Sequence, residues 1–116
     1  MGNFKNLQVW QKSVDLAASV YKLTKETPLS KDYGLIDQLR RSAVSIASNI
    51  AEGDELKSDA QATRHFFYSK ASTAELMTQI IIAEKVGYLD KAPSDEIIFK
   101  CEEISKMLNA LIRHRS

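Results

Sequence analysis

Apolar residues recur every three or four positions in four runs, divided by the only strong interruptions after residue 2, at Pro28, Gly34, Gly53, Gly87 and Pro93. That period belongs to helices, not strands. In the first run Trp10, Val14, Ala17, Tyr21 and Thr24 form a stripe with Leu16, Val20 and Leu23 beside it. Asn6 suits the N-cap and Pro28 the stop, which predicts a helix over about 7–26. The second run carries Leu35, Leu39, Ala43, Ile46 and Ile50 on one side and ends at Gly53, a residue suited to a left-handed C-terminal position, so its span is about 33–53. Ser58-Asp59-Ala60-Gln61 has capping-box spacing and opens a third helix over about 58–86, stopped by Gly87. Ser94, followed by Asp95 and Glu96, caps a fourth over about 94–114, with Ile97, Cys101, Ile104, Leu108 and Leu111 as its stripe. Short connections force antiparallel neighbours. The expected fold class is therefore all-α, an antiparallel up-down-up-down four-helix bundle forming one domain over residues 1–116.

The third run is wider than a bundle needs. Phe67, Ala71, Ala74, Thr78 and Ile81 make one line, Leu76, Ile80 and Ala83 another, and Ile82 points a further turn of about 100° away from Ile81. Three consecutive isoleucines cannot all face one core. Either this helix has two buried faces, or Ile82 is one of the scattered apolar residues that every surface carries. Phe4 and Val9, off the first stripe, favour an oligomer.

The stretch Gln38–Asp54 reads QLRRSAVSIASNIAEGD and has unusually little bulk, with three serines, three alanines, two isoleucines and one valine. Arg41, Ser45, Ser48, Asn49 and Glu52 share one helical face, opposite Leu39, Ala43, Ile46 and Ile50. Small residues let backbones approach, and hydroxyl and amide groups bond across such a contact. This face is thus either a polar seam against another helix or subunit, with Arg41 reaching a carboxylate there, or an ordinary solvated face.

Four stretches together, FKNLQVWQKSVDLA (4–17), YGLIDQLRRSAVSIASNIAEG (33–53), KASTAELMTQIIIAEKVGYL (70–89) and MLNALIRHR (107–115), resemble the four-helix-bundle family named for proteins encoded in intervening sequences of bacterial 23S ribosomal RNA genes. The resemblance covers nearly the whole chain, and its most specific part is the YGL…QLRRSAVSI…NIAEG block. It implies a helical bundle, frequently a homopentamer, without established catalytic activity. Related accessory proteins of diversity-generating retroelements resemble the family in fold and use a basic pentamer to contact RNA and a reverse transcriptase. Two departures stand out here. Asp54-Glu55-Leu56-Lys57 replaces the glycine-arginine pair that usually follows the NIAEG block, and Ala71-Ser72-Thr73-Ala74 stands where an Ala-x-Gly-Ser segment is common. The first weakens a nucleic-acid role, and the retroelement role is not carried over.

Composition adds bounds. With 116 residues, 44% hydrophobic and 27% charged, the chain suits one globular core. Sixteen basic against 15 acidic residues leave a net charge of +1, so an RNA contact would need a local patch. The candidates are Arg40, Arg41, Arg64, Lys70, Arg113 and Arg115, multiplied around an oligomer. A single cysteine, Cys101, forms no internal disulfide and reads as a buried thiol in a reducing, cytoplasmic setting. The amino terminus reads as lacking a leader. Met1-Gly2 fails the myristoylation pattern at Asn6, and the longest apolar run, Ile80–Ala83, is far too short to span a membrane. Neither His65 nor His114 has the acidic residue three positions earlier that a dimetal bundle requires. None of Arg40, Arg41, Arg64 and Arg113 precedes a histidine at the spacing of helical RNases. No phosphate loop, nucleophile elbow or zinc-type cysteine spacing occurs. The expectation is a non-enzyme without metal or cofactor. Its partners would be further copies of itself and structured RNA or an RNA-handling protein; the alternative is an oligomeric protein-interaction scaffold that binds no nucleic acid.

Overall fold

The computed structural model describes residues 2–26 and 28–116. Its helices are α1 (Gln8–Leu23), α2 (Tyr33–Glu55), α3 (Asp59–Lys85) and α4 (Lys91–Arg115), with single 3-10 turns at Phe4–Asn6 and Leu29–Lys31; the described residues contain no strand. The helices pack in the ring order α1, α2, α3, α4 and back to α1. Cross-helix contacts run antiparallel: Thr24 meets Arg40, Ser45 meets Ser72, Asp59 meets Arg115, and Lys12 meets Glu103. This is an all-α antiparallel four-helix bundle measuring 44 × 20 × 20 Å. At a rise of about 1.5 Å per residue α3 alone runs about 40 Å, nearly the full length. The much shorter α1 leaves one end to the 3-10 turn whose Leu29 is completely buried there.

The core is a ladder of aliphatic layers: Leu16 and Val20 from α1, Leu39, Ile46 and Ile50 from α2, Leu76 and Ile80 from α3, and Ile104 and Leu108 from α4. Each such side chain contributes roughly 1.5–3 kcal/mol through burial. A smaller cluster of Ala62, Phe66 and Ile112 closes the end where α2 hands over to α3.

Several boundaries and phases differ from the sequence reading. In α1 the inward stripe is Val9, Ser13, Leu16 and Val20, about one position round from the one expected, while Val14 and Tyr21 are exposed. Ser13 explains the rotation: its Oγ donates to the Val9 carbonyl at 2.7 Å, so a serine is buried with its hydroxyl satisfied inside its own helix. Val9, read as an outlying hint of oligomerisation, belongs to the core. Asn6 caps nothing, because it lies in the 3-10 turn and α1 starts from Leu7 without a side-chain cap. The helix ends at Leu23, not near 26.

Asp32 caps α2, its Oδ1 accepting from Leu35 N at 3.0 Å. Gly53 does not end this helix in the left-handed region. It sits two residues inside the end, facing α3, and Gly87 is the glycine with positive φ, at 86°. Ser58 caps α3 as expected, accepting from Gln61 N at 3.3 Å. Ser94 caps nothing either: α4 begins three residues earlier and Ser94 is buried within it. Pro93 was legible as a breaker but occupies the first turn, where the N–H it lacks would have no intrahelical acceptor. At the far end of α4, Ile112 is buried where Leu111 was expected, and Leu111 packs at the edge.

Candidate interaction surface

The slim face of α2 is the starting point. Ser45 Oγ accepts from Ser72 Oγ at 3.0 Å and also from Asn49 Nδ2 at 3.0 Å, while Ser69 Oγ donates to the Ile46 carbonyl at 2.8 Å. Ser42 Oγ donates to Gln79 Oε1 at 2.7 Å. Further down, His65 Nδ1 lies 3.1 Å from Asn49 Oδ1 and 3.4 Å from Glu52 Oε2. The α2–α3 interface is therefore a polar seam within one chain, holding Ser45, Asn49 and Glu52. Arg41 stays outside, 2.8 Å from Asp37 on its own helix. Ser42, Ser69, Ser72 and Gln79 complete the seam and were missed. The available signal was the recurrence of small or amide side chains at 69, 72 and 79 along α3, inside a stripe read as purely apolar.

Among the described residues no element covers the other side of α3. Its buried residues include Phe66, Thr73, Leu76, Ile80 and Ala83; the line Phe67, Ala71, Ala74, Thr78, Ile81, one of the two lines read along this run in the sequence, is uncovered within the chain. Phe67 is 53%, Ile81 44% and Ile82 47% exposed. The result is a ridge with small residues in the middle and bulk at both ends. A second apolar surface lies between α1 and α2, a groove lined by Phe4, Trp10, Val14, Val44, Ala47 and Ala51. Phe4 packs edge-on to Trp10 at 5.3 Å and forms part of one wall. The groove runs from Glu52 and Glu55 at one end to Arg40 and Arg41 at the other.

The six basic candidates for RNA contact are not gathered into one patch. Arg115 Nε donates to Asp59 Oδ1 at 2.7 Å and Nη2 to the Leu56 carbonyl at 3.4 Å, with Asp54 at 4.0 Å. Arg40 stacks on Tyr21 at 4.5 Å from the ring centroid and donates to Thr24 Oγ1. Arg64 and Arg113 are exposed near the same end of the bundle, and Lys70 is half-buried midway along α3.

Three titratable groups are clearly shifted. Burial, with a smaller contribution from Glu102, pushes the Cys101 thiol up to about 12, which keeps it protonated and inert at neutral pH. Tyr88 is raised by its hydrogen bond to Asp32 and by that carboxylate's charge, and Lys91 is raised by its bond to Asp95. Among the described residues no three His, Cys, Asp or Glu side chains come together as metal ligands, and no helix is long and apolar enough to cross a membrane.

Fold and surface together define an all-α bundle with an aliphatic core, a polar seam and two apolar outer surfaces. The sequence profile of the 23S rRNA-intervening sequence proteins matches residues 5–110, and the chain belongs to that family. A crystal structure of a protein of unknown function from the S23 ribosomal protein family of Bacteroides thetaiotaomicron VPI-5482 shares the fold, with a TM-score of 0.83 and 23% identity over 90% of this chain and 97% of that one. Among curated proteins none matches this chain.

Proposed function

We propose that this protein is a non-catalytic, self-assembling scaffold of the cytoplasm, whose oligomer is the functional unit. The observation that carries this reading is the uncovered ridge of α3. Phe67, Ile81 and Ile82 stand about half exposed on one helix, with the uncharged Ala71, Ala74 and Thr78 between them, and contiguous apolar patches of that kind mark contact surfaces. By resemblance the oligomer is a pentamer. Native mass spectrometry of the purified protein tests it. The expected species is a multiple of the 13.0 kDa chain, and a monomer at micromolar concentration overturns the reading.

A second reading, association with structured RNA, draws on Arg64 and Arg113, exposed near one end of the bundle so that an oligomer would repeat the pair around its rim. Arg64→Ala/Arg113→Ala should weaken RNA binding and flatten its salt dependence. Unchanged affinity, or no RNA bound by the parent protein, removes this reading and leaves the scaffold.

A further inference from the structure

We infer that the copies join through unlike surfaces, the α3 ridge of one seated in the α1–α2 groove of the next. This rests on the self-assembly reading and specifies its contact. The two surfaces differ in shape. The ridge is a convex helix running about 20 Å from Phe67 to Ile81, and the groove is concave, with Ala47 and Ala51 along it and Val14, Val44 and Trp10 beside them. An amphipathic helix is the natural occupant of such a groove.

Charge selects this pairing over its competitor. If two ridges met about a twofold axis centred near Ala74, Phe67 would face Ile82, but Arg64 would face Lys85 at both ends and the two Glu75 side chains would adjoin. Like charges so placed oppose the contact. In the unlike pairing the heights are fixed by the seam inside each chain. Glu52 lies level with Arg64 and His65, because it reaches His65 at 3.4 Å, and Arg41 lies level with Glu75, because both line one recess beside Ser42 and Gln79. Copies related by rotation about an axis parallel to the bundle sit at equal height. Arg64 of the ridge then arrives at the Glu52–Glu55 end of the neighbour's groove, and Glu75 arrives toward its Arg40–Arg41 end. The Arg41–Asp37 pair within the chain is largely exposed and offers little resistance to this exchange. A contact between unlike surfaces leaves the groove of one copy and the ridge of the other open, so it propagates until rotation closes a ring.

Cysteine cross-linking under mild oxidation tests the inference. Ala71→Cys on the ridge, which the seam places level with Ala47, and Ala47→Cys in the groove are made singly and together, and Ala74→Cys alone, with Cys101 left in place as a buried, protonated thiol. The double variant should give covalent multimers and each single variant none. Covalent dimers of Ala74→Cys alone would establish ridge against ridge and overturn the inference while leaving self-assembly standing. A non-covalent multimer in which the double variant does not cross-link would also overturn it, and a monomeric parent would remove both readings. Charge reversal supplies a second measurement should the cysteines disturb folding. Arg64→Glu should raise the concentration needed for assembly about tenfold, and adding Glu55→Lys should restore it. If the second substitution restores nothing, the ends of ridge and groove do not meet.

Discussion

A β-carbon at Gly53 would lie 2.7 Å from Phe66 Cε1 and 3.0 Å from the Ala62 carbonyl oxygen, both part of a fully buried corner. Alanine has the better helix propensity by about 1 kcal/mol, yet overpacking costs typically about 1–3 kcal/mol. Gly53→Ala should therefore lower the melting temperature, and a rise in a thermal melt would show that Phe66 yields freely. Nothing local announces this role, because a glycine near the end of a helical run reads as a terminator and only the fold reveals Phe66 opposite it. Cys101 is the contrary case, since its place on a regular apolar stripe made a buried thiol legible. Its thiol should resist a thiol-specific reagent at pH 8 in the folded protein and react fully in denaturant. Its pKa rises on folding from 9.0 to about 12, so its contribution to stability is complete below about pH 9 and is lost as pH climbs toward 12. Denaturation midpoints measured at pH 8 and pH 10 should show that loss in the parent and a smaller one in Cys101→Ala.

Between elements, the seam joining α2 to α3 consists of hydroxyls and amides that are buried but partnered, which lets the two backbones run close without leaving polar groups unsatisfied. Ser42→Ala removes the donor to Gln79 Oε1 while Gln79 stays nearly buried, and should cost about 1–3 kcal/mol in a urea titration. Ser42→Ala/Gln79→Leu should recover much of that, and if it recovers none, then the serine matters through its size and not its bond. The α2 half of this seam was visible in the sequence as a slim polar stripe, although whether it met a helix or water was open. The α3 half was hidden, and α1 was read about one position out of phase, for one reason. Period analysis counts serine as polar and outward, whereas Ser13 and Ser69 satisfy their hydroxyls on main-chain carbonyls and Ser72 on Ser45, and so turn inward. Element number and order were legible because periodicity over 16 to 27 residues averages out such exceptions.

For the whole molecule, a near-neutral charge conceals a division of labour among the cations, and Arg115 makes that division testable. Its side chain is four-fifths buried, and Asp54, which it approaches, also accepts from Asn3 N at 2.7 Å, so one cluster ties both ends of the chain to the α2–α3 connection. Helix amplitude and spacing could not have shown this, because the partners lie 56 and 61 positions away from Arg115 in sequence. Arg115→Ala leaves Asp54 in a partly dry corner without its guanidinium and should destabilise the fold by about 1–3 kcal/mol. Hydrogen exchange should quicken in the last turn of α4 and around Asn3 while the amides of α3 near Leu76 keep their protection, and uniform slow exchange throughout would mean the cluster holds nothing. Arg113, exposed on the opposite side of that last turn, should leave that pattern unchanged when replaced by alanine. A loss of RNA binding in Arg115→Ala alone would then report an unfastened chain end, whereas the same loss in Arg113→Ala, with exchange intact, would report a contact.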